Sequence, residues 1–342
     1  MNESAKIFIA DHQGMIGAAV ERALKQQGHP AGNILTCSAV ELSLHDQAAV
    51  QAFIRTQSPD QIYLPVPSLS GTQPEPAATT TLLGLLHVIH AAHAHGVKKL
   101  LLIGTPHIYP RSALSPLAED DLLSGRLDPA TERFALAQIA AIKACDAISR
   151  PPAGNGTPQG ALDYRCIVTP TPYGPGDRYG APDSSTIASL IHRLHQAKAA
   201  GERHVHLPLN GAVWREYQHV DDSARAAIYL MNVGAAAYQQ QTQRGVAHIN
   251  AGDSHSCSTK ALAQTIADVV GYSGVIDMPM PQTDSEPHVR LDSHRMHSLG
   301  WSPFLAIEDG LALTYFDYLA HHQLAVVTHP LQQGIANAGT VH

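Results

Sequence analysis

The most evident chemistry sits at the end of a short apolar run. Lys99–Ile103 is β-prone, and Thr105-Pro-His-Ile-Tyr109 follows it. Residues at the carboxyl ends of parallel strands face the ligand crevice of an open α/β sheet. An imidazole there suits acid–base work near neutral pH, and a threonine hydroxyl can donate a hydrogen bond to a reacting oxygen. His107 as base and Thr105 as donor are therefore the candidate catalytic residues. The competing reading of His107 is a hydrogen-bonded surface group. Tyr109 and Tyr179 each carry a phenol able to exchange a proton, if the fold brings it within reach. His87, His90 and His93 fall on one helical face, but the run holds no carboxylate, and no metal is expected.

The second such stretch is Lys6–Leu24. Lys6–Ala10 is apolar, Asp11-His-Gln-Gly-Met-Ile-Gly17 is a turn, and Met15, Ile16, Ala19, Val20 and Ala23 then recur at helical spacing. Strand, glycine turn and helix open a Rossmann fold, whose helix N-terminus offers free N–H groups to a pyrophosphate. The first fingerprint glycine is replaced by Asp11. A side chain there is expected to crowd the tight bend, and its carboxylate to repel a diphosphate. Gly14, Met15, Ile16 and Gly17 are thus candidate cofactor-binding residues with a weakened grip. The alternative is that the glycines only permit close helix–sheet packing.

Strands and helices must alternate to hold these stretches. Candidate strands are Lys6–Ala10, Asn33–Thr36, Gln61–Val66, Lys99–Ile103, Tyr164–Thr169 and Val246–Asn250. Helical patterns lie between them, near Gly14–Gln27, Gln47–Thr56, Thr79–His95 and Thr131–Arg150. Others lie near Ser185–Ala200, Asp222–Val233 and Ser258–Val270. That order predicts an α/β protein with a doubly wound parallel sheet. Arg150–Ala161, rich in Pro and Gly, reads as an exposed loop, and the chain from His321 as a frayed tail. Asp221 and Asp222 read as caps of the next helix.

The 342 residues suffice for one or two joined domains, and 44% hydrophobic with 15% charged residues is ordinary for such a protein. A formal charge of -7 without a basic stripe excludes a nucleic-acid partner from expectation. Four separated cysteines, Cys37, Cys145, Cys166 and Cys257, read as reduced thiols. No signal peptide precedes Lys6, and no apolar run reaches the roughly 18 residues of a span. A cytoplasmic, non-membrane protein is expected.

Several runs resemble the GDP-L-fucose synthases, which are extended short-chain dehydrogenase/reductases. They are HQGMIGAAVERAL, VIHAAHAHGVKKLLLIGTPHIYP, TERFALAQIAAIK, YGPGD, WREYQHVDD, HINAGDS and LGW, in family order over roughly residues 5 to 320. The resemblance implies a Rossmann domain over 1–172 and 213–246, a smaller substrate domain over 173–212 and 247–322, and a tail over 323–342. It also implies NADPH or NADH, a GDP-linked sugar and a homodimer. The family epimerises GDP-4-keto-6-deoxymannose and then reduces it.

That chemistry needs a hydroxyl and a Y-x-x-x-K pair, whose spacing puts phenol and ammonium on one helical face. The ammonium lowers the phenol's pKa, and the phenol exchanges a proton with the sugar oxygen. The hydroxyl position matches Thr105, but the Tyr position is Phe134 and the Lys position is Gln138. A positioned acid is worth about 10²–10⁴-fold in rate. The epimerising Cys and His match His107 and Gly180, and the two arginines for the 2′-phosphate match Cys37 and Ala39. The lysine after the third strand is lost at Pro65–Ser68, the Asn after the fifth strand is Thr171, and a lysine near the sugar diphosphate is Gln282. The resemblance leaves Asp46 among the cofactor-binding positions, and Tyr179 and Arg215 among the substrate-binding ones, with Arg215 matching the arginine on the GDP diphosphate.

The pattern of loss suggests a degenerate relative that binds, scaffolds or regulates, as a homodimer or paired with an active paralogue. An alternative is changed, non-redox chemistry in the same crevice by His107 and Thr105. A weaker alternative is an active nucleotide-sugar epimerase/reductase that uses another proton donor.

Overall fold

The computed structural model describes residues 4–67, 76–150, 162–181, 184–243, 246–253, 255–279 and 289–336. The loop expected over 151–161, Gln282 and the end of the tail, 337–342, lie outside the described residues. The first half alternates β1 (Ile7–Ile9), α1 (Met15–Gln26), β2 (Ile34–Thr36), α2 (Gln47–Gln57), β3 (Gln61–Pro65), α3 (Pro76–Ala94), β4 (Lys99–Gly104), α4 (Glu132–Ser149) and β5 (Asp163–Val168). After it come β6 (Thr171–Tyr173), α5 (Thr186–Ala199), β7 (His204–His206), β8 (Trp214–Arg215), β9 (Tyr217–His219), α6 (Val220–Asn232) and α7 (Ala235–Gln241). The chain closes with β10 (His248–Asn250), β11 (Cys257–Ser258), α8 (Thr259–Val270), β12 (Val275–Asp277), α9 (His294–Ser298) and α10 (Ile307–Ala336).

The main sheet runs β10-β5-β4-β3-β1-β2, with every pairing parallel. The central strands β3 and β4 are buried on both faces, so they read as largely apolar runs, whereas β5 carries the Asp163–Arg165 pair. Side chains alternate across it. Phe8, Leu64 and Leu102 face the core built with α2, α3 and α4, while Ile7, Tyr63 and Leu101 face α1 and α6. A third core joins α5, α8 and α10 through Leu190, Leu194, Leu262, Ile266, Leu311 and Tyr318. The Rossmann-type sheet expected from the alternation is present, with both catalytic candidates just past the carboxyl end of β4.

Three placements differ from the sequence reading. β10 was expected in the smaller unit, but His248–Asn250 pairs with Cys166–Val168 as an edge strand of the main sheet. The stretch expected to fray after His321 begins inside α10, whose Leu- and Gln-containing run continues the helix to Ala336. Asp221 and Asp222 do not cap α6. His219 does, accepting from Asp221 N at 3.2 Å. Asp221 pairs with Arg22 at 2.8 Å, and Asp222 accepts from the backbone N–H groups of Phe304 and Leu305 at 3.1 and 2.9 Å. No described helix is long and apolar enough to cross a membrane.

One buried cation ties the sheet to its α6 side. Arg165 is fully buried, bonds Asp163 through Nε at 2.7 Å, donates to the carbonyls of Leu230 and Val233, and lies 5.0 Å from the Tyr238 ring centroid. Removing one partner of a buried pair leaves an uncompensated charge, so Asp163→Ala should cost about 3 kcal/mol of folding free energy. Denaturant unfolding of the variant measures it.

Candidate functional site

Gln138 organises the end of β4. Its side chain is 0% exposed, and its Oε1 accepts the Thr105 backbone N–H at 2.9 Å. A backbone N–H can only donate, so the amide's orientation is settled, and Nε2 donates to Thr105 Oγ1 at 3.0 Å. Gly104 makes room, since a Cβ there would stand 3.1 Å from Gln138 Oε1. Thr105 Oγ1 also lies 3.0 Å from His107 Nδ1, against 3.3 Å to Gln138 Oε1. Gln138 and His107 thus hold the Thr105 hydroxyl between them. Phe134 sets its ring edge-on to the imidazole, with centroids 5.7 Å apart at 83°. The two positions where the resemblance expects Tyr and Lys thus brace Thr105 and His107. Sequence matching shows what is missing at 134 and 138, but not this new use.

His107 lines a cleft of about 420 Å³, shared with Arg215, Asp128, Thr131, Thr171 and Arg111. Burial lowers the imidazole's pKa to about 4, and Arg215 pushes the same way against Asp128. His107 is therefore neutral at pH 7, able to accept a proton. Arg215 reaches the cleft from β8, which pairs with β11. Asp128, Thr131 and Arg111 were not singled out from the sequence. Their only signal is position, in the loops that flank Tyr109 and open α4.

Neither phenol proposed as a stand-in is free to serve. The Tyr109 ring borders the cleft, but its hydroxyl donates to Asn250 Oδ1 at 2.5 Å and meets His248 Nε2 at 2.9 Å. Burial pushes its pKa well up, and Glu119 adds to the shift. Tyr179 OH donates to Thr314 O and Asp317 Oδ2, each at 3.1 Å, with its ring against Tyr318. Burial again raises the pKa, and Asp317 adds to it. Tyr179 belongs to the third core's rim and not to the His107 cleft. Gly180, the other half of the epimerising pair in the alignment, has φ +72° and faces His192.

The glycine turn is built around Asp11. Its φ is +53°, a left-handed conformation that Asp tolerates better than most residues. The bend is therefore kept, and the crowding expected of a side chain does not occur. Gly14 N donates to Asp11 O at 3.0 Å. A Cβ on Gly14 would stand 2.4 Å from Asp11 Oδ2, and one on Gly17 would stand 2.2 Å from Asp11 O. The backbone approach requires glycine at 17, whereas at 14 a Cβ would have to displace the Asp11 carboxyl. The carboxyl group lies against the start of α1, its pKa raised by burial while His12 and the Gly14 N–H pull it down. Met15 is half-buried and Ile16 is in the core. Asp46 caps α2, accepting from Ala49 N at 3.0 Å. His87 bonds Leu44 O at 3.0 Å, and no metal-holding cluster occurs among the described residues.

Two predictions follow from these bonds. Tyr109→Phe leaves buried Asn250 and His248 short of a partner and should cost about 1–3 kcal/mol in denaturant unfolding. Burial also lowers the His248 pKa to about 3. An unfolded imidazole titrates near 6.5, so between that value and the folded ones the unfolded chain binds the proton first. The histidine contribution to stability is complete above pH 6.5 and is lost as pH falls toward 4. Thermal unfolding across that window should show the decline, and His107→Gln should make it shallower.

The NAD dependent epimerase/dehydratase family matches this chain over residues 7–251. GDP-L-fucose synthase of Escherichia coli strain K12 is 37% identical over 315 residues, 91% of this chain and 95% of that protein. GDP-L-fucose synthase 1 of Arabidopsis thaliana is 33% identical over 323 residues, 93% of this chain and 94% of its own. Among solved structures, the GDP-D-glycero-L-gluco-heptose synthase of Campylobacter jejuni, determined in the presence of NADPH, superimposes with a TM-score of 0.82 at 25% identity. That likeness covers 93% of this chain and 99% of the other. A parallel sheet with a glycine turn after β1, a cleft past β4 and this degree of identity lead to one assignment: the chain belongs to the NAD-dependent epimerase/dehydratase family and is GDP-L-fucose-synthase-like.

Proposed function

We propose that this chain binds a GDP-linked sugar in the Arg215–His107 cleft and has given up the family's hydride chemistry, acting as a binding, scaffolding or regulatory protein. One observation carries the reading. Phe134 and Gln138, at the positions of the proton donor and its lysine, are buried at 3% and 0% exposure and are committed to bracing His107 and Thr105. No lysine occurs among the described residues lining the cleft, and the one phenol there is spent on Asn250 and His248. Family membership supports NAD(P), yet the residues present do not fit its phosphates. The Asp11 carboxyl stands beside the helix start where a diphosphate would go, and Cys37 and Ala39 replace the arginines expected for a 2′-phosphate.

The contact between Thr105 and His107 favours a second reading, non-redox chemistry on the bound sugar. A neutral imidazole beside a held hydroxyl is a base with an oriented neighbour.

Purified protein mixed with NADPH and GDP-4-keto-6-deoxymannose should show no loss of NADPH absorbance beyond the protein-free rate. Turnover comparable to a family enzyme would sink the first reading. Calorimetry with GDP-mannose should show binding that Arg215→Ala weakens at least tenfold, about 1.4 kcal/mol. Under the second reading, product analysis of the GDP sugar should detect a change that His107→Ala abolishes without lowering the melting temperature.

A further inference from the structure

A second cavity, of about 330 Å³, opens at the carboxyl ends of β1, β2 and β3. Phe8, Leu42, Leu44, Pro65, Pro67 and Leu85 give it apolar walls. Asp11 supplies the one carboxylate among its described lining residues, and neither lysine nor arginine is among them. A second acid stands close by, for Glu41 adds to burial in pushing up the thiol of Cys37, another wall residue. His12 faces the same wall, its Nδ1 3.1 Å from Cys37 O. The cavity therefore combines apolar surface with a carboxylate, and the basic groups at it among the described residues are imidazoles, His45 in the wall and His12 beside Asp11.

We propose that this cavity binds a flat apolar molecule carrying a protonated amine, which pairs with Asp11, in place of a phosphorylated nucleotide. Its volume lies within the range of small-molecule pockets, and its walls supply the apolar area that drives such binding. An ammonium would relieve a carboxylate that is partly withdrawn from water, while an anion would have to enter against it. Oδ2 of Asp11 stands 2.4 Å from where a Cβ on Gly14 would be, and the Gly14 N–H is among the groups that hold the carboxyl, so it lies at the approach to the first N–H groups of α1. A ligand's phosphate would need those groups. The inference rests on the reading that Asp11 excludes a diphosphate, and it is independent of what the His107 cleft does.

The test is calorimetric titration of the full chain at about pH 8, where an aliphatic ammonium stays protonated. The probes are tryptamine, indole propionic acid, which puts a carboxylate in place of the ammonium on the same ring, and NADPH. Tryptamine should bind at least tenfold more tightly than the acid. Asp11→Asn removes the charge while keeping a residue that accepts positive φ, and it should weaken tryptamine at least tenfold and erase the preference. Asp11→Gly, which suits the same φ, should also lose tryptamine and should gain at least tenfold in NADPH affinity. Equal binding of amine and acid, or a preference unchanged in Asp11→Asn, overturns the proposal. Silence toward both tryptamine and NADPH overturns the amine site alone and leaves the exclusion of the diphosphate standing. Tight NADPH binding by the unaltered chain, no weaker than by Asp11→Gly, overturns both.

Discussion

The cleft depends on one buried amide. Gln138 is out of contact with water, so each of its polar atoms must find a partner inside the protein, and both find Thr105. That requirement fixes the end of β4 and holds the threonine hydroxyl 3.0 Å from His107 Nδ1. A lysine at 138 would bring a charge into the same space, and burying it there without a partner would be costly. The glutamine meets the same geometric need with a neutral group. Phe134, one turn earlier on α4, completes the support by closing the far side of the imidazole with an apolar edge.

Behind this brace lies a chain of buried polar groups that holds the Thr105–Tyr109 segment to the edge of the sheet. Tyr109 bonds Asn250, Asn250 Nδ2 donates to Leu117 O at 2.9 Å, and the Asn250 backbone N–H donates to Glu119 at 2.9 Å. Glu119 in turn faces Arg295 at 3.4 Å, which bonds Asp120 on its other side. Each member is satisfied by the next, and networks of that kind specify a single arrangement. The phenol that could have replaced the missing acid is thus a structural member. Its fixed role separates holding the cleft in shape from doing chemistry in it.

The two cavities differ in their charged lining. The cleft past β4 carries Arg215 and Arg111 beside Asp128, whereas the pocket beside β1 carries Asp11, with neither lysine nor arginine among its described lining residues. Both lie on the carboxyl side of the parallel strands, where an open α/β sheet leaves its crevice.

Periodicity in the sequence was enough for the sheet. Runs such as Ile7–Ile9 and Lys99–Gly104 are buried on both faces, and helices between them, such as α1, repeat their apolar residues at the spacing of one face. Those patterns are local, so strands and helices were legible within a few residues of their ends. The losses at Phe134, Gln138, Asp11, Cys37 and Ala39 were legible too, because a residue type alone decides whether a proton or a charge is available. What each replacement does was not. That Gln138 clamps Thr105, that Asp11 takes a left-handed bend against Gly14, and that the Tyr109 hydroxyl turns inward to Asn250 all depend on contacts between residues far apart in the chain or on backbone angles. Residue identity along the chain determined which chemical groups stand at positions 134, 138 and 11. Only the tertiary structure decided where the remaining polar groups point, because each buried donor and acceptor takes its direction from the partner that the fold brings to it.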